Sequence, residues 1–153
     1  MELLLKKIKR ILSENRNIRE GWHGSKVPFE GLFDENLIGG ENDDGFSGRG
    51  FYFFPSLEDT RFAVPNGYAR KFILSLKRLY NLDRNDIFSE DPPRGMSYSD
   101  YRNEETLELL KKGYDGAYRT MNNRIEEICV FSYKSKGFDG NNKIKPSGSW
   151  IEL

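Results

Sequence analysis

Cysteine and histidine are scarce in this chain, one of each, Cys129 and His23. A single cysteine excludes an intramolecular disulfide, so the fold must hold by packing alone, as in a reducing cell. One histidine and one cysteine, far apart in sequence, fall short of the three or four ligands of a zinc site, and no metal is expected. No apolar run approaches the length needed to span a bilayer. The first residues, Met1 to Leu12, interrupt Leu and Ile with Lys6, Lys7, Lys9 and Arg10. They lack the apolar core and small-residue cleavage site of a signal peptide, so the expectation is a cytoplasmic chain with no membrane partner. An excess of charge of one sign is missing too: 24 basic residues balance 24 acidic ones. That argues against a dedicated nucleic-acid binder, although a neutral chain can still carry a basic face.

What is present suits one domain. The 153 residues fit a single folding unit able to bury a core without disulfides. Apolar residues make up only 37% of the chain, but eleven Phe, eight Tyr and two Trp bury much area each. Leu4, Leu5, Ile8, Ile11 and Leu12 recur at helical spacing, which predicts an amphipathic helix over about residues 2–14, packed on the domain surface. Residues 21–25 read as a short strand, 34–50 as a loop, and 50–54 as an aromatic strand closed by Pro55. Ser56 with Asp59 three positions on resembles a capping box that opens a helix. Tyr68 to Leu79 reads as a strand, and residues 89–100, with Pro92, Pro93 and Gly95, as a loop. A helix follows from Glu104 to Lys112, ended by Gly113. Strands are expected from Tyr114 and from Ile125 to Tyr133, with Ile144 the last anchor before Pro146. Strands and helices without regular βαβ spacing predict an α+β fold.

Taken singly, the residues that could carry chemistry are ambiguous. A histidine beside Trp22 is more often packed than catalytic, and Cys129 in an apolar strand behaves as a small core residue. Gly48-Arg49-Gly50 has no Lys-Ser/Thr after it and no βαβ unit around it, so it fits neither a P-loop nor a dinucleotide fingerprint. Glu126-Glu127 heads the run Ile128-Cys129-Val130-Phe131. Strand alternation puts Glu127, Cys129 and Phe131 on one face and Glu126, Ile128 and Val130 on the other. A carboxylate at a strand's start is ordinarily just solvated. The same alternation allows Tyr52 to face a cleft while Phe51 and Phe53 face the core.

Three segments in order, His23-Gly24-Ser25, Gly48-Arg49-Gly50-Phe51-Tyr52-Phe53 and Glu127-Ile128-Cys129-Val130-Phe131, resemble the ADP-ribosyltransferase superfamily in its His-Tyr-Glu branch. That branch includes the diphtheria-toxin and poly(ADP-ribose) polymerase catalytic domains. Gly113-Tyr114-Asp115-Gly116 and Lys143-Ile144-Lys145 look like small bacterial and phage members, such as the transferase domains of polyvalent proteins. The resemblance covers about residues 21–145 and implies a split mixed β-sheet with flanking helices. It implies NAD+ as co-substrate, with His23 on a ribose hydroxyl and Gly24 on the nicotinamide amide. Ser25 and Gly50 lie within the matching NAD+-binding motifs. Tyr52 would stack on the nicotinamide, Thr60 would bond its amide, and Glu127 would be the catalytic carboxylate. Phe62, Ala63 and Tyr68 lie near the place of a second stacking ring, and which of them serves is left open.

The arginine-modifying branch has Glu or Gln two residues before the catalytic Glu; here Ile125 stands there, which speaks against arginine-directed transfer. Long insertions of polymer-forming members are missing, which implies one ADP-ribose per acceptor. Small free-standing members look like toxins, phage proteins or secreted effectors, which implies a macromolecular acceptor in a host cell and an antitoxin or immunity partner. The acidic loop at 34–47 favours a protein acceptor over nucleic acid. Water as acceptor (an NAD+ glycohydrolase), a nucleic-acid-modifying transferase and an inactive NAD-binding module remain alternatives.

Overall fold

The computed structural model describes residues 3–6, 18–38, 47–84 and 91–153. Residues 3–6 form a helical turn; the rest of the helix expected over 2–14 lies outside the described residues. The remainder is α+β, with eight strands: β1 (Glu20–Ser25), β2 (Gly50–Phe53), β3 (Tyr68–Leu74), β4 (Leu79–Asn81), β5 (Gly116–Met121), β6 (Arg124–Phe131), β7 (Ile144–Pro146) and β8 (Ile151–Glu152). Two helices join them, α1 (Leu57–Ala63) and α2 (Tyr98–Lys111).

The strands form two sheets. In the first, β3 pairs with β1 on one side and with β7 and β8 on the other, all antiparallel. In the second the order is β2-β6-β5-β4, antiparallel except for β4 with β5. The parallel pair needs a crossover, and α2 lies within that connection. Among the described residues the sheets touch through backbone at one bridge, where Trp22 and Phe54 exchange N–H···O bonds of 2.7 Å each way.

Alternation sorts β6 between two cores. Ile128 and Val130 join Phe51, Phe53, Phe72, Leu74 and Tyr118 between the sheets. Cys129 and Phe131 face the other way, onto Tyr80, Ala117 and the α2 residues Leu109 and Leu110, with Tyr52 packed against them. The aromatic strand thus divides its rings as the sequence pattern predicts.

Helix α1 starts where expected, with the Ser56 side chain accepting from the Asp59 amide. Helix α2 starts six residues before Glu104, capped by Ser97 accepting from Asp100 N–H. Its buried stripe is Arg102, Thr106, Leu109 and Leu110, helical in period but half polar, which hides it from a search for apolar spacing. Gly113 ends it at φ +96°, a conformation that favours glycine. The stretch from Tyr68 to Leu79 is not one strand: it breaks after Leu74 and resumes as β4 in the other sheet. Asn122 and Asn123, both at positive φ (53° and 64°), make the two-residue turn between β5 and β6.

Candidate functional site

The three residues singled out by the resemblance stand on β1, β2 and β6. Tyr52 is opposite Cys129 in the β2–β6 register, so Tyr52, Cys129 and Glu127 share one face, with Glu127 diagonal to Tyr52. The Ser47-Gly48 segment ties them together. Buried Ser47 donates its hydroxyl to Glu127 Oε2 at 2.5 Å, and the Gly48 carbonyl accepts from the Tyr52 hydroxyl. That segment is fixed in turn from residue 49. The Arg49 amide donates to Thr106 Oγ1 at 2.9 Å, and its guanidinium donates to Glu35 and to the Ser132 carbonyl while lying over the Tyr133 ring.

A β-bulge decides between the two adjacent glutamates. Arg119 is opposite Glu127 but Thr120 is opposite Ile125, which leaves Glu126 as the extra residue. Glu126 is exposed and Glu127 half-buried. The bulge therefore gives Glu127 a defined direction and leaves Glu126 in solvent.

His23 enters differently. Its Nδ1 is 2.7 Å from the Tyr52 carbonyl, which requires Nδ1 to carry the proton and donate. The ring packs among Phe29, Phe33, Phe53 and Phe72, at centroid distances of 4.7 to 6.4 Å, on the inter-sheet side. So the structure joins His23 to Tyr52 through backbone, while the Tyr52 ring and Glu127 lie on the other face of the β2–β6 pair. Desolvation lowers the His23 pKa below the usual imidazole value, and the bond to the Tyr52 carbonyl opposes this in part. The imidazole is then neutral at pH 7, and Nε2 is left as the acceptor.

This has a consequence for stability. A histidine whose folded pKa is lowered costs nothing above its unfolded pKa of about 6.5, and destabilises the fold as pH falls below it, until the folded pKa is reached. Wild type is expected to lose up to about 1.4 kcal/mol per pH unit more than His23→Gln in that window. Denaturant unfolding of both proteins from pH 7 to pH 5 measures the difference; parallel curves would refute it.

The other candidate residues have mainly structural surroundings. A Cβ on Gly24 would lie 2.7 Å from Val64 Cγ2 and 3.0 Å from Thr60 Cγ2, so this glycine lets α1 close on β1. Ser25 Oγ donates to the Val27 carbonyl at 2.6 Å. Gly50 passes close to β6. Thr60 is fully buried and its hydroxyl donates to the Ser56 carbonyl at 2.8 Å. Phe62 is 91% exposed on α1, apart from any ring cluster, and Tyr68 is half-buried on β3 opposite Ser25. Ser47 was not legible beforehand: it lies in an irregular segment where no period points to it.

A cavity of about 380 Å³ lies at the far end of β6, near the α2 C-terminus, lined in part by Leu110, Tyr114, Phe131 and Lys143; His23, Tyr52 and Glu127 are not in its lining. Among the described residues there is no group of three or more His, Cys, Asp or Glu arranged to hold a metal ion. No described helix is long and apolar enough to cross a membrane. No protein-family model, curated protein or solved structure matches the chain.

Proposed function

We propose that this chain is an NAD+-dependent mono-ADP-ribosyltransferase, which cleaves the nicotinamide–ribose bond and passes ADP-ribose to a macromolecular acceptor, a protein in preference to nucleic acid. The observation that carries the reading is the joint anchoring of Tyr52 and Glu127 by Ser47-Gly48 on one sheet face, with His23 bonded to the Tyr52 carbonyl. Two sheets meeting at a single bridge, with the candidate residues on β1, β2 and β6, are compatible with the split sheet that the sequence resemblance implies.

Chemically the arrangement suits the reaction. Breaking the glycosidic bond builds oxocarbenium-like positive charge on the ribose. A preplaced carboxylate at Glu127 favours that charge more in the transition state than in the ground state. The Ser47 hydroxyl fixes one carboxylate oxygen, which reduces the reorganisation needed when charge develops. Tyr52 offers an aromatic face to the cationic nicotinamide ring. His23, whose ring lies among phenylalanines on the other side of the β2–β6 pair, would act on this site through its bond to the Tyr52 carbonyl and not by touching the ribose.

The enclosure of His23 by four phenylalanine rings favours a second reading, in which the fold binds a partner and turns over no NAD+. Incubation of the pure protein with adenylate-labelled NAD+ and a cell lysate separates the two. A labelled protein band supports the transferase. Free nicotinamide without a labelled macromolecule supports a glycohydrolase, and no nicotinamide release at all sinks both enzymatic readings.

A further inference from the structure

The bulge at Glu126 does more than aim Glu127. Residues 124 and 127 on a regular strand would face opposite ways, three positions being an odd step. Here Arg124 is opposite Met121 and Glu127 is opposite Arg119, two residues that share a face of β5. The extra residue turns Arg124 onto the face of Glu127. Ile125 and Ile128, also three apart, both pack on the inter-sheet core, as the same phase change requires. Arg119 and Arg124 are then diagonal neighbours across the hairpin, with Cα atoms roughly 7–8 Å apart by strand geometry.

Neither arginine side chain makes a hydrogen bond or ion pair among the described residues; Arg119 is half-buried and Arg124 exposed. Of the other partly buried arginines, Arg49 is engaged with Glu35, Arg70 with Glu30 and the Gly148 carbonyl, and Arg78 with the Lys112 carbonyl, whereas exposed Arg61 and Arg94 stand unpaired among the described residues. The nearby acids have other positions. One Glu127 oxygen is bonded by Ser47, Glu126 is exposed on the bulge, and Asp83 accepts from the Thr120 amide and hydroxyl. A partly desolvated guanidinium without an acceptor is unfavourable, and its fork of donors matches an oxyanion bidentately. Half-buried Arg119 with exposed Arg124 beside it puts two positive charges on one face, which suits a ligand with more than one negative charge, so a phosphate or pyrophosphate and not a single carboxylate.

We infer that Arg119 and Arg124 form a binding site for a phosphate-class anion on the β5 side of Glu127. This site deepens the transferase reading by supplying either the pyrophosphate subsite of the dinucleotide or a subsite for a phosphate on the acceptor. Its evidence does not depend on NAD+ turnover.

The test is calorimetric titration of the whole chain, wild type and Arg119→Gln/Arg124→Gln, with inorganic pyrophosphate, ADP-ribose and adenosine. Wild type is expected to bind pyrophosphate, and the double variant at least about tenfold more weakly, since each charged hydrogen bond lost is worth a factor of that order. Adenosine, which has no phosphate, should not discriminate between the two. A parallel fall for ADP-ribose assigns the site to the dinucleotide. An unchanged ADP-ribose affinity beside weakened pyrophosphate binding assigns it to the acceptor. Arg119→Lys/Arg124→Lys keeps both charges but loses the bidentate forks, so it should bind pyrophosphate more weakly than wild type and more tightly than the glutamine variant, and circular dichroism of all three proteins guards against a loss caused by misfolding. Absence of pyrophosphate binding in wild type, or equal binding in wild type and a folded double glutamine variant, overturns the inference. Pyrophosphate binding without NAD+ turnover would sink the transferase reading alone.

Discussion

Glu127→Gln should reduce nicotinamide release from NAD+ by at least about a hundredfold with little change in melting temperature. The scale is that of removing one preplaced electrostatic group from a site where charge develops, on the order of 10²–10³ in rate. The amide is nearly isosteric with the carboxylate, and its oxygen can still accept from the Ser47 hydroxyl, so the anchoring of the side chain survives. What disappears is the negative charge that the proposed mechanism sets against the ribose. Glu126→Gln is the matched control, because that residue is the exposed, unpaired member of the bulge. Single-turnover nicotinamide release, read beside thermal unfolding of the three proteins, gives the answer. Equal rates for Glu127→Gln and wild type would remove Glu127 from the chemistry, and equal losses in both variants would indicate a general electrostatic effect.

The second large effect is expected at Gly50, in stability rather than rate. A Cβ built there lies 2.1 Å from the Val130 carbonyl oxygen, 2.8 Å from the Val130 carbonyl carbon and 2.9 Å from Cys129 Sγ. The first two are backbone atoms of the central strand, which cannot swing aside as a flexible side chain would. Gly50→Ala must therefore push β2 off β6 at the end of the ladder that carries Tyr52, or displace fully buried Val130. Overpacking of a tight core costs about 1–3 kcal/mol and more when backbone must move, so a loss of roughly 3–5 kcal/mol is expected. For a domain of this size that lowers the melting temperature by roughly 10 °C or more. Differential scanning calorimetry would show it. A shift within 2 °C would mean that the close approach of β2 to β6 is wrongly placed.

Much of this arrangement was legible in the sequence because alternation and capping are local. Phe51, Tyr52 and Phe53 divide between two faces as their spacing dictates, and Ser56 caps α1 because its hydroxyl is three residues from an amide it can reach. The division of Glu127, Cys129 and Phe131 from Ile128 and Val130 follows from the same rule. The bulge breaks the rule upstream, and nothing in Arg124-Ile125-Glu126-Glu127 announces where the extra residue sits; the core positions of Ile125 and Ile128 fix it from outside. The early start of α2 was hidden because its inner face includes Arg102 and Thr106, the latter held by the Arg49 amide from another part of the chain. Thr60 shows the limit of residue-by-residue transfer: a hydroxyl at the matching place is engaged within its own helix. Glycine had a similar ambiguity, since Gly24 and Gly50 serve close packing whatever else they do.

Among the described residues the Trp22–Phe54 bridge is the one backbone link between the two sheets, which otherwise meet through their shared apolar core. Each sheet has its own ladders, and among the described residues only these two amides form backbone hydrogen bonds between them. Subglobal opening that parts the sheets would release both amides together while β5 and β6 stay protected. His23 follows Trp22 directly, and its acceptor, the Tyr52 carbonyl, lies two residues before Phe54. The exchange rate at that one pair therefore sets an upper limit on how long His23 and Tyr52 remain in register.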